Sequence, residues 1–358
     1  MEVSYGVGDA VPRGRYLRAV IAVCLVVVLL AAALVATIGS LNRDLYSAGG
    51  FVRQYLTALA AHDTDTALAL PGAEPTDAEL EAAGLPQDLP RTLLRPSVLG
   101  SITDIELVSD EPSSAATAVG QKSQHTVVYD FTLDGAPTSM EFTVKRLGTV
   151  AGLFSTWGFA TSPLAVLQVT VLHDAGFTVN GLTLDTRAHA AADAPATFSN
   201  QGAYLAFAPT VYDVSHDSSL LTAPVQSVPV VTSGATDITV DAMPNDTFTE
   251  QVQTKLNEYL DDCATQQVLQ PSSCPFGIEI DDRVTSAPVW SIAEYPEVAL
   301  TGGDSSFDMP DTIGQAHIVV DVQSLYDGDR TTRDEDVPFS LGISVTIQPD
   351  GALAIQLR

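Results

Sequence analysis

Two cysteines in the last third of the sequence have the residue type for metal, redox or disulfide chemistry. Cys263 and Cys274 are separated by ten residues in the stretch DDCATQQVLQPSSCPFG. Zinc sites favour about two to four residues between paired cysteines, and redox pairs favour about two, so neither site fits. A disulfide fits the spacing, but it persists only in an oxidising compartment. The chemistry of the pair therefore depends on which side of a membrane it lies.

The histidines and the nucleophile motifs do not indicate a catalytic centre or a metal site. The chain has no H-x-H or H-E-x-x-H, no G-x-S-x-G and no P-loop. No serine stands three residues before Lys122, Lys145 or Lys255, so the S-x-x-K signature of penicillin-binding proteins is absent. We predict no catalytic, cofactor-binding or metal-binding residues. The six histidines are scattered, at positions 62, 125, 173, 189, 216 and 317.

One acidic stretch, YDGDRTTRDEDVPF at residues 326–339, begins like a calcium loop. Asp327 and Asp329 have the spacing of the first two EF-hand ligands. The sixth position is Thr332 instead of glycine, and the twelfth is Pro338 instead of glutamate, so the pattern fails. We therefore predict an acidic hairpin loop here.

Length and charge limit the class of protein. The 358 residues are enough for two or three domains, and at 46% hydrophobic residues they can bury real cores. The formal net charge is −28, from 44 acidic against 16 basic residues. Such a surface repels polyanions and anionic lipid headgroups, so neither nucleic acid nor an anionic lipid surface is an expected partner.

Residues 19–38 form an uncharged apolar run, AVIAVCLVVVLLAAALVATI, which is long enough to cross a bilayer as a helix. Three arginines precede the run, which places the N-terminus in the cytoplasm. The run is longer than a usual signal-peptide core, and no clear A-x-A cleavage site follows it. We predict a cytoplasmic tail at 1–18, an uncleaved single-pass helix at 19–41 in the cytoplasmic membrane, and extracytoplasmic domains after it.

That topology decides between the chemistries open to the cysteine pair. The loop between Cys263 and Cys274 then lies outside the cytoplasm, where disulfides persist. Cys24, the third cysteine, lies within the apolar run and does not compete. We predict a Cys263–Cys274 disulfide.

The predicted first domain, residues 44–165, begins with a helix and continues with strands. Phe51, Tyr55 and Leu59 recur every fourth residue, and the Gly49–Gly50 pair marks the helix start. A second short helix and a proline-rich loop follow. Alternating patterns predict strands at 102–109, 125–135, 138–147 and 153–161, the middle two forming a hairpin.

Two further domains are predicted. Residues 166–243 show short alternating runs between turn residues, which favours a small β-sandwich of Ig or PEGA type. Residues 245–358 begin with a helix at 247–263, for which Thr247 and Glu250 form a capping box. The helix precedes a sheet whose predicted strands begin with FGIEIDD and end with ALAIQL.

The stretch FVRQYLTALAAHDTDTALAL resembles the opening of an NTF2-like domain, in which helices precede a cone-shaped sheet. The resemblance implies an α+β fold for residues 44–165, and we expect a second NTF2-like unit at 245–358. Enzymes of this fold place a histidine and a carboxylate inside the cone. His62 with Asp63, Asp65 or Asp130 are the available residues, and their positions do not indicate such a pair.

The order of segments also resembles a group of actinobacterial single-pass envelope proteins with no assigned activity. The similarity rests on FTVNG, LDDCATQQVLQPSSCPFG, VWSIAEYPEVAL and VPFSLGISVTIQPDGALAIQL. We expect a non-catalytic, membrane-anchored extracytoplasmic protein that binds or scaffolds a wall polymer or another envelope protein. The alternatives are an envelope enzyme with an NTF2-like pocket and an accessory subunit of a membrane complex.

Overall fold

The computed structural model describes residues 13–44, 46–113, 123–150, 154–189, 197–348 and 350–358 as an α+β protein built mainly on sheets. The helices are α1 (Arg13–Asp44), α2 (Ala48–Ala60), α3 (Thr64–Ala69), α4 (Asp77–Ala82) and α5 (Asp246–Ala264). The strands are β1 (Ile102–Pro112), β2 (Gln124–Leu133), β3 (Ala136–Val150), β4 (Phe154–Phe159), β5 (Ala165–Leu172), β6 (Gly176–Val179), β7 (Leu182–Asp185), β8 (Ser199–Ala206), β9 (Thr210–Asp217), β10 (Leu221–Val230), β11 (Gly234–Asp241), β12 (Met243–Pro244), β13 (Arg283–Val284), β14 (Val289–Glu294), β15 (Thr301–Gly302), β16 (Phe307–Gln323), β17 (Arg330–Ile347) and β18 (Leu353–Leu357).

The long helix α1 contains the apolar run. Its window Val20–Thr37 has a mean hydropathy of 3.1, and none of the window is buried against the rest of the chain. A helix of this length and composition is able to cross a bilayer. Near the N-terminus it fits either a membrane anchor or a signal sequence.

Helix α2 packs on an antiparallel sheet with the strand order β1-β2-β3-β4. Ser47 caps α2 by accepting a hydrogen bond from the Gly50 N–H at 2.9 Å. The predicted β2–β3 hairpin is confirmed, and its turn uses Asp134 and Gly135, both with positive φ. Such a two-residue turn matches the twist of the flanking strands.

The space between α2 and this sheet is filled by aromatic side chains. The Phe159 ring lies 4.9 Å from that of Phe51, 5.3 Å from that of Tyr55 and 6.3 Å from that of Phe142. All four side chains are buried. Close packing of this kind leaves little room for a ligand at these positions.

A β-sandwich follows, made of the sheets β12-β10-β9-β6-β7 and β11-β5-β8. Its buried side chains are continuous with those under the first sheet. The buried Tyr55 hydroxyl donates to the Ala208 carbonyl at 2.9 Å, and the Leu205 N–H donates to Pro90 at 3.1 Å. Burial, reinforced by Tyr212, raises the pKa of Tyr55 well above its usual value, although the bond to Ala208 lowers it slightly. This hydroxyl therefore stays a neutral donor between the two units.

In the C-terminal unit, α5 packs on a sheet with the order β13-β16-β17-β18, and β14 and β15 also pair with β16. The predicted capping box is wrong, because Asn245 caps the helix by accepting from the Phe248 N–H at 3.0 Å. One face of α5 is apolar and buried against the sheet. Its buried members are Phe248, Val252, Leu256, Leu260 and Cys263.

Two further predictions for this unit are wrong. The segment FGIEIDD is not a strand, since the described chain is irregular from residue 276 to 282. The Ile278 N–H bonds to the Leu269 carbonyl at 2.9 Å, within the preceding loop. The predicted acidic loop at 326–339 is confined to 324–329, and the rest belongs to β17. The described fold is thus α+β, while the NTF2-like arrangement and the domain boundaries stay predictions.

Candidate functional site

A cleft with a volume of about 430 Å³ opens where the β-sandwich meets the C-terminal unit. The sandwich supplies the turn after β5, the short 3-10 helix after β7 and the start of β8. The C-terminal unit supplies the start of β16 and the end of β17. The lining side chains that matter for chemistry are His173, Asp174, Arg187, Phe198, Ser305 and Thr346.

His173 forms the buried wall of the cleft. Its ring lies 4.9 Å from that of Phe198 and 5.4 Å from that of Phe307, so it joins the two units. A Cβ on Gly302 would lie 2.3 Å from His173 Cε1, so only glycine fits this approach. His173 itself has φ of 69°, a left-handed conformation that is uncommon outside glycine.

His173 and Asp241 form an acid–base pair that is poorly arranged for proton transfer to a ligand in the cleft. His173 Nδ1 lies 3.0 Å from Asp241 Oδ1, within ion-pair distance. The pair is not aligned for hydrogen bonding, and Nδ1 has no hydrogen-bond partner among the described residues. The His173 side chain is only 9% exposed. A general base has to reach the proton that it removes, so the geometry favours a packing role.

Asp174 presents a carboxylate oxygen to the cleft. Its Oδ1 accepts hydrogen bonds from the N–H groups of Ala175 and Gly176, at 2.6 and 2.8 Å. Its Oδ2 lies 3.9 Å from His216 Nε2, beyond hydrogen-bond distance. Oδ2 is therefore available to accept a hydrogen bond from a ligand.

Arg187 is the cation of the cleft. Its backbone N–H donates to Asp185 Oδ1 at 2.7 Å, and the Asp185 carbonyl accepts from the Tyr204 hydroxyl at 3.4 Å. Burial, reinforced by Asp185, raises the pKa of Tyr204 to about 12, so this hydroxyl remains a donor. The Arg187 side chain is exposed and has no salt-bridge partner among the described residues.

Hydroxyl groups and an apolar ring complete the lining. Ser305 is exposed, and Thr346 is half-buried with its hydroxyl accepting from Gln348 Nε2 at 3.3 Å. Phe198 presents a half-buried ring. The cleft thus offers one cation, one carboxylate, hydroxyls and an apolar surface, a combination that suits a ligand bearing many hydroxyl groups.

The acid–base residues considered from the sequence do not meet inside the first sheet. His62 is exposed after α2, and its N–H donates to the Leu59 carbonyl at 2.9 Å. Asp63 caps α3, and hydrogen bonds from the Thr66 hydroxyl and N–H lower the pKa of this carboxyl. Asp65 is exposed on α3, and Asp130 lies on the solvent face of β2, opposite the face that contacts α2.

Asp327 and Asp329 lie in the turn between β16 and β17. The Asp329 N–H donates to Asp327 Oδ1 at 3.2 Å, and Gly328 between them has a φ of 80°. These bonds build a turn. Among the described residues, no group of three or more histidine, cysteine or carboxylate side chains is placed to hold a metal ion.

The Cys263 and Cys274 sulfurs lie at disulfide distance, 2.02 Å apart. Cys263 ends the buried face of α5, and Cys274 belongs to the loop that follows. The bond closes a short loop and contributes about 3 kcal/mol in the chain-entropy model. Its role is structural, fixing the end of α5 to the loop.

No family model, no curated protein and no solved structure matches this chain. The resemblance to actinobacterial envelope proteins therefore stays a prediction. The site has to be interpreted from its own residues.

The sequence did not predict the residues of the cleft. His173 lies in a turn of the sandwich and Arg187 in its short 3-10 helix, whereas Ser305 and Thr346 come from the C-terminal unit more than a hundred residues later. No motif joins them. The one available signal was the His173–Asp174 pair directly after a strand pattern, and such a pair is common in turns.

Proposed function

We propose that this protein is a membrane-anchored extracytoplasmic binding protein, and that the cleft between the sandwich and the C-terminal unit holds its ligand. The ligand class that suits the cleft best is a hydroxyl-rich polymer of the cell envelope, such as a wall glycan. The observation that carries the proposal is that Arg187, which has no salt-bridge partner among the described residues, lines the same cleft as the Asp174 carboxylate.

Core side chains fill the interiors of the first and last helix-and-sheet units. This packing disfavours a catalytic site inside either unit. In the first unit the four aromatic rings around Phe159 occupy the space between helix and sheet. In the last unit the ring of Phe248 lies 5.3 Å from that of Phe307, and both are fully buried. A substrate at either position would have to displace core side chains.

The compartment is inferred from two features. The exposed apolar α1 suits an anchor that remains in the membrane. The Cys263–Cys274 pair suits an oxidising compartment. Together they support an extracytoplasmic location for the cleft, in the compartment that contains wall polymers. The chain's net charge of −28 disfavours nucleic acid as the ligand.

The side chains of the cleft limit the classes of ligand that it is able to bind. A sugar hydroxyl both donates and accepts hydrogen bonds, so it is able to bond Asp174 Oδ2 and Arg187 in the same site. The Phe198 ring gives an apolar surface for the face of a sugar ring. The cleft carries one charge of each sign, Arg187 and Asp174, so its charges favour neither a polyanion nor a simple cation.

Co-sedimentation with isolated, insoluble wall glycan tests the proposal. We expect the full-length protein in detergent to pellet with the glycan. Arg187→Ala removes a charged donor, so the glycan concentration for half-maximal pelleting is expected to rise about tenfold.

The matched control is Arg330→Ala, an exposed arginine at the opposite end of β17 from Thr346. It makes the same change of charge and should bind like the wild type. Equal losses in both variants would indicate nonspecific charge effects, and no pelleting of the wild type would refute the proposal. Release of soluble sugar fragments that depends on Asp241 would instead favour the envelope enzyme.

A further inference from the structure

Exposed apolar and aromatic side chains cluster at one end of the first sheet, beside the end of α1. We call them the anchor-side patch. Tyr46 and Leu147 are each 38% exposed and Val150 is 56% exposed, while Phe154 and Trp157 are half-buried. An exposed apolar cluster on a soluble surface usually marks an interaction site.

Strand pairing and ring contacts bring these residues together. In the β3–β4 ladder, Val150 pairs with Phe154 and Arg146 pairs with Trp157. The Tyr46 ring lies 4.5 Å from the Phe154 ring. The Trp157 indole N–H donates to the Tyr46 carbonyl at 2.9 Å. The patch is therefore fixed directly to the segment that leaves α1.

The distance from the membrane is short. Residues 38–44 continue α1 beyond the apolar window, which adds about 10 Å of helix. The headgroup region on one side of a bilayer is itself about 5–7 Å deep. Helix α1 ends at Asp44 and helix α2 begins at Ala48, so only three residues separate them. The Gly49 N–H donates to Asp110 on β1 at 2.9 Å, which holds this end of the sheet close to the end of α1.

The charges at this end also suit a lipid surface. Lys145 and Arg146 have no salt-bridge partner among the described residues, in a chain with 16 basic and 44 acidic residues. Asp110 is occupied by His125, at 2.6 Å, and by the Gly49 N–H, whereas Glu111 is exposed. Tryptophan and tyrosine are enriched at both interfaces of a membrane, and the two cations are able to contact lipid phosphates.

We propose that the anchor-side patch lies in the interface of the bilayer that α1 crosses, in contact with phospholipid headgroups. This inference rests on the proposed anchoring of α1. It adds a second membrane contact, made by the first sheet. Two contacts would fix the orientation of the first sheet relative to the membrane.

Fluorescence quenching by brominated lipid tests the proposal, since the chain has two tryptophans, Trp157 and Trp290. Full-length protein is placed in vesicles of phosphatidylcholine and phosphatidylglycerol, with bromine on the shallow acyl carbons. In Trp290→Phe, which reports Trp157 alone, we expect about a twofold loss of emission because tryptophan favours this depth. In Trp157→Phe the remaining Trp290, 5% exposed in β14, should be unaffected.

A second variant keeps both tryptophans, so its result does not depend on whether the tryptophan substitutions disturb folding. Val150→Glu places a charge in the patch and should remove the quenching, whereas Ile313→Glu, at a 70% exposed site on β16, should not. If the protein fails to float with the vesicles after an alkaline wash, the anchoring proposal fails. If it floats but Trp157 is not quenched, or if Val150→Glu quenches like the wild type, the patch proposal is overturned.

Discussion

Replacement of Phe159 by alanine is expected to lower the free energy of unfolding by about 3–5 kcal/mol. Phe159 is 1% exposed and contacts the rings of Phe51, Tyr55 and Phe142. Its removal leaves a cavity that these neighbours cannot fill, because Tyr55 is held by its bond to Ala208. Denaturant titration of the full-length protein in detergent, followed by tryptophan emission, measures the change.

The control for this prediction is Val225→Ala, on β10, where the side chain is 67% exposed. An exposed truncation is expected to change the free energy of unfolding by less than about 0.5 kcal/mol. A loss below about 1 kcal/mol for Phe159→Ala would mean that this side chain does not sit in a packed core. The close packing described for the interior of the first unit would then be contradicted.

The second large effect is expected from charges in the middle of α1. Val27 and Leu29 lie near the centre of the apolar window Val20–Thr37 and are exposed along the helix. Changing both to arginine costs about 6–8 kcal/mol of insertion free energy on the translocon scale. We expect the double variant to leave the alkali-resistant membrane fraction, and immunoblotting of the washed fractions measures the loss.

The matched control exchanges the same two residues for other apolar ones, Val27→Leu with Leu29→Val, and should remain in the membrane fraction. A wild-type protein found in the soluble fraction without α1 would show that the helix is a signal sequence. Retention of the double arginine variant in the washed membranes would show that another part of the chain holds it there.

The elements that the sequence predicted well are those whose local and long-range preferences agree. Phe248, Val252, Leu256 and Leu260 repeat every fourth residue, and this face is the one that packs on the last sheet. The alternation in β2 and β3 and the Asp134–Gly135 turn both favour the hairpin that forms. A helix or strand is predicted correctly from sequence when its local preference and its long-range packing favour the same structure.

The failures arise where long-range pairing overrides local preference. Aspartates disfavour strands, yet Asp334 and Asp336 lie in β17 because that strand pairs with β16 over its whole length. His317 on β16 lies across from both carboxylates, at 3.2 Å from Asp334 and 2.8 Å from Asp336. At the start of α5, Asn245 and Thr247 are both good caps, and residue type alone does not choose between them.

The candidate site was the least predictable part. The cleft exists because two units meet, and His173 joins them through Phe198 and Phe307, which lie far apart in the chain. Arg187 has no sequence neighbour that signals a ligand. Only the disulfide cysteines were identified as a pair beforehand, because compartment and spacing limited the alternatives to one.

The central claim, that the domains after α1 lie outside the cytoplasm, is tested most directly by counting thiols. Cells are quenched in acid, and the denatured protein is labelled with a maleimide that adds mass at each free cysteine. We expect one labelled cysteine, Cys24, without reductant and three after reduction, with one fewer of each in Cys24→Ser. Three labelled cysteines without reductant would contradict it, because Cys263 and Cys274 would then be reduced and the domains would lie in the cytoplasm.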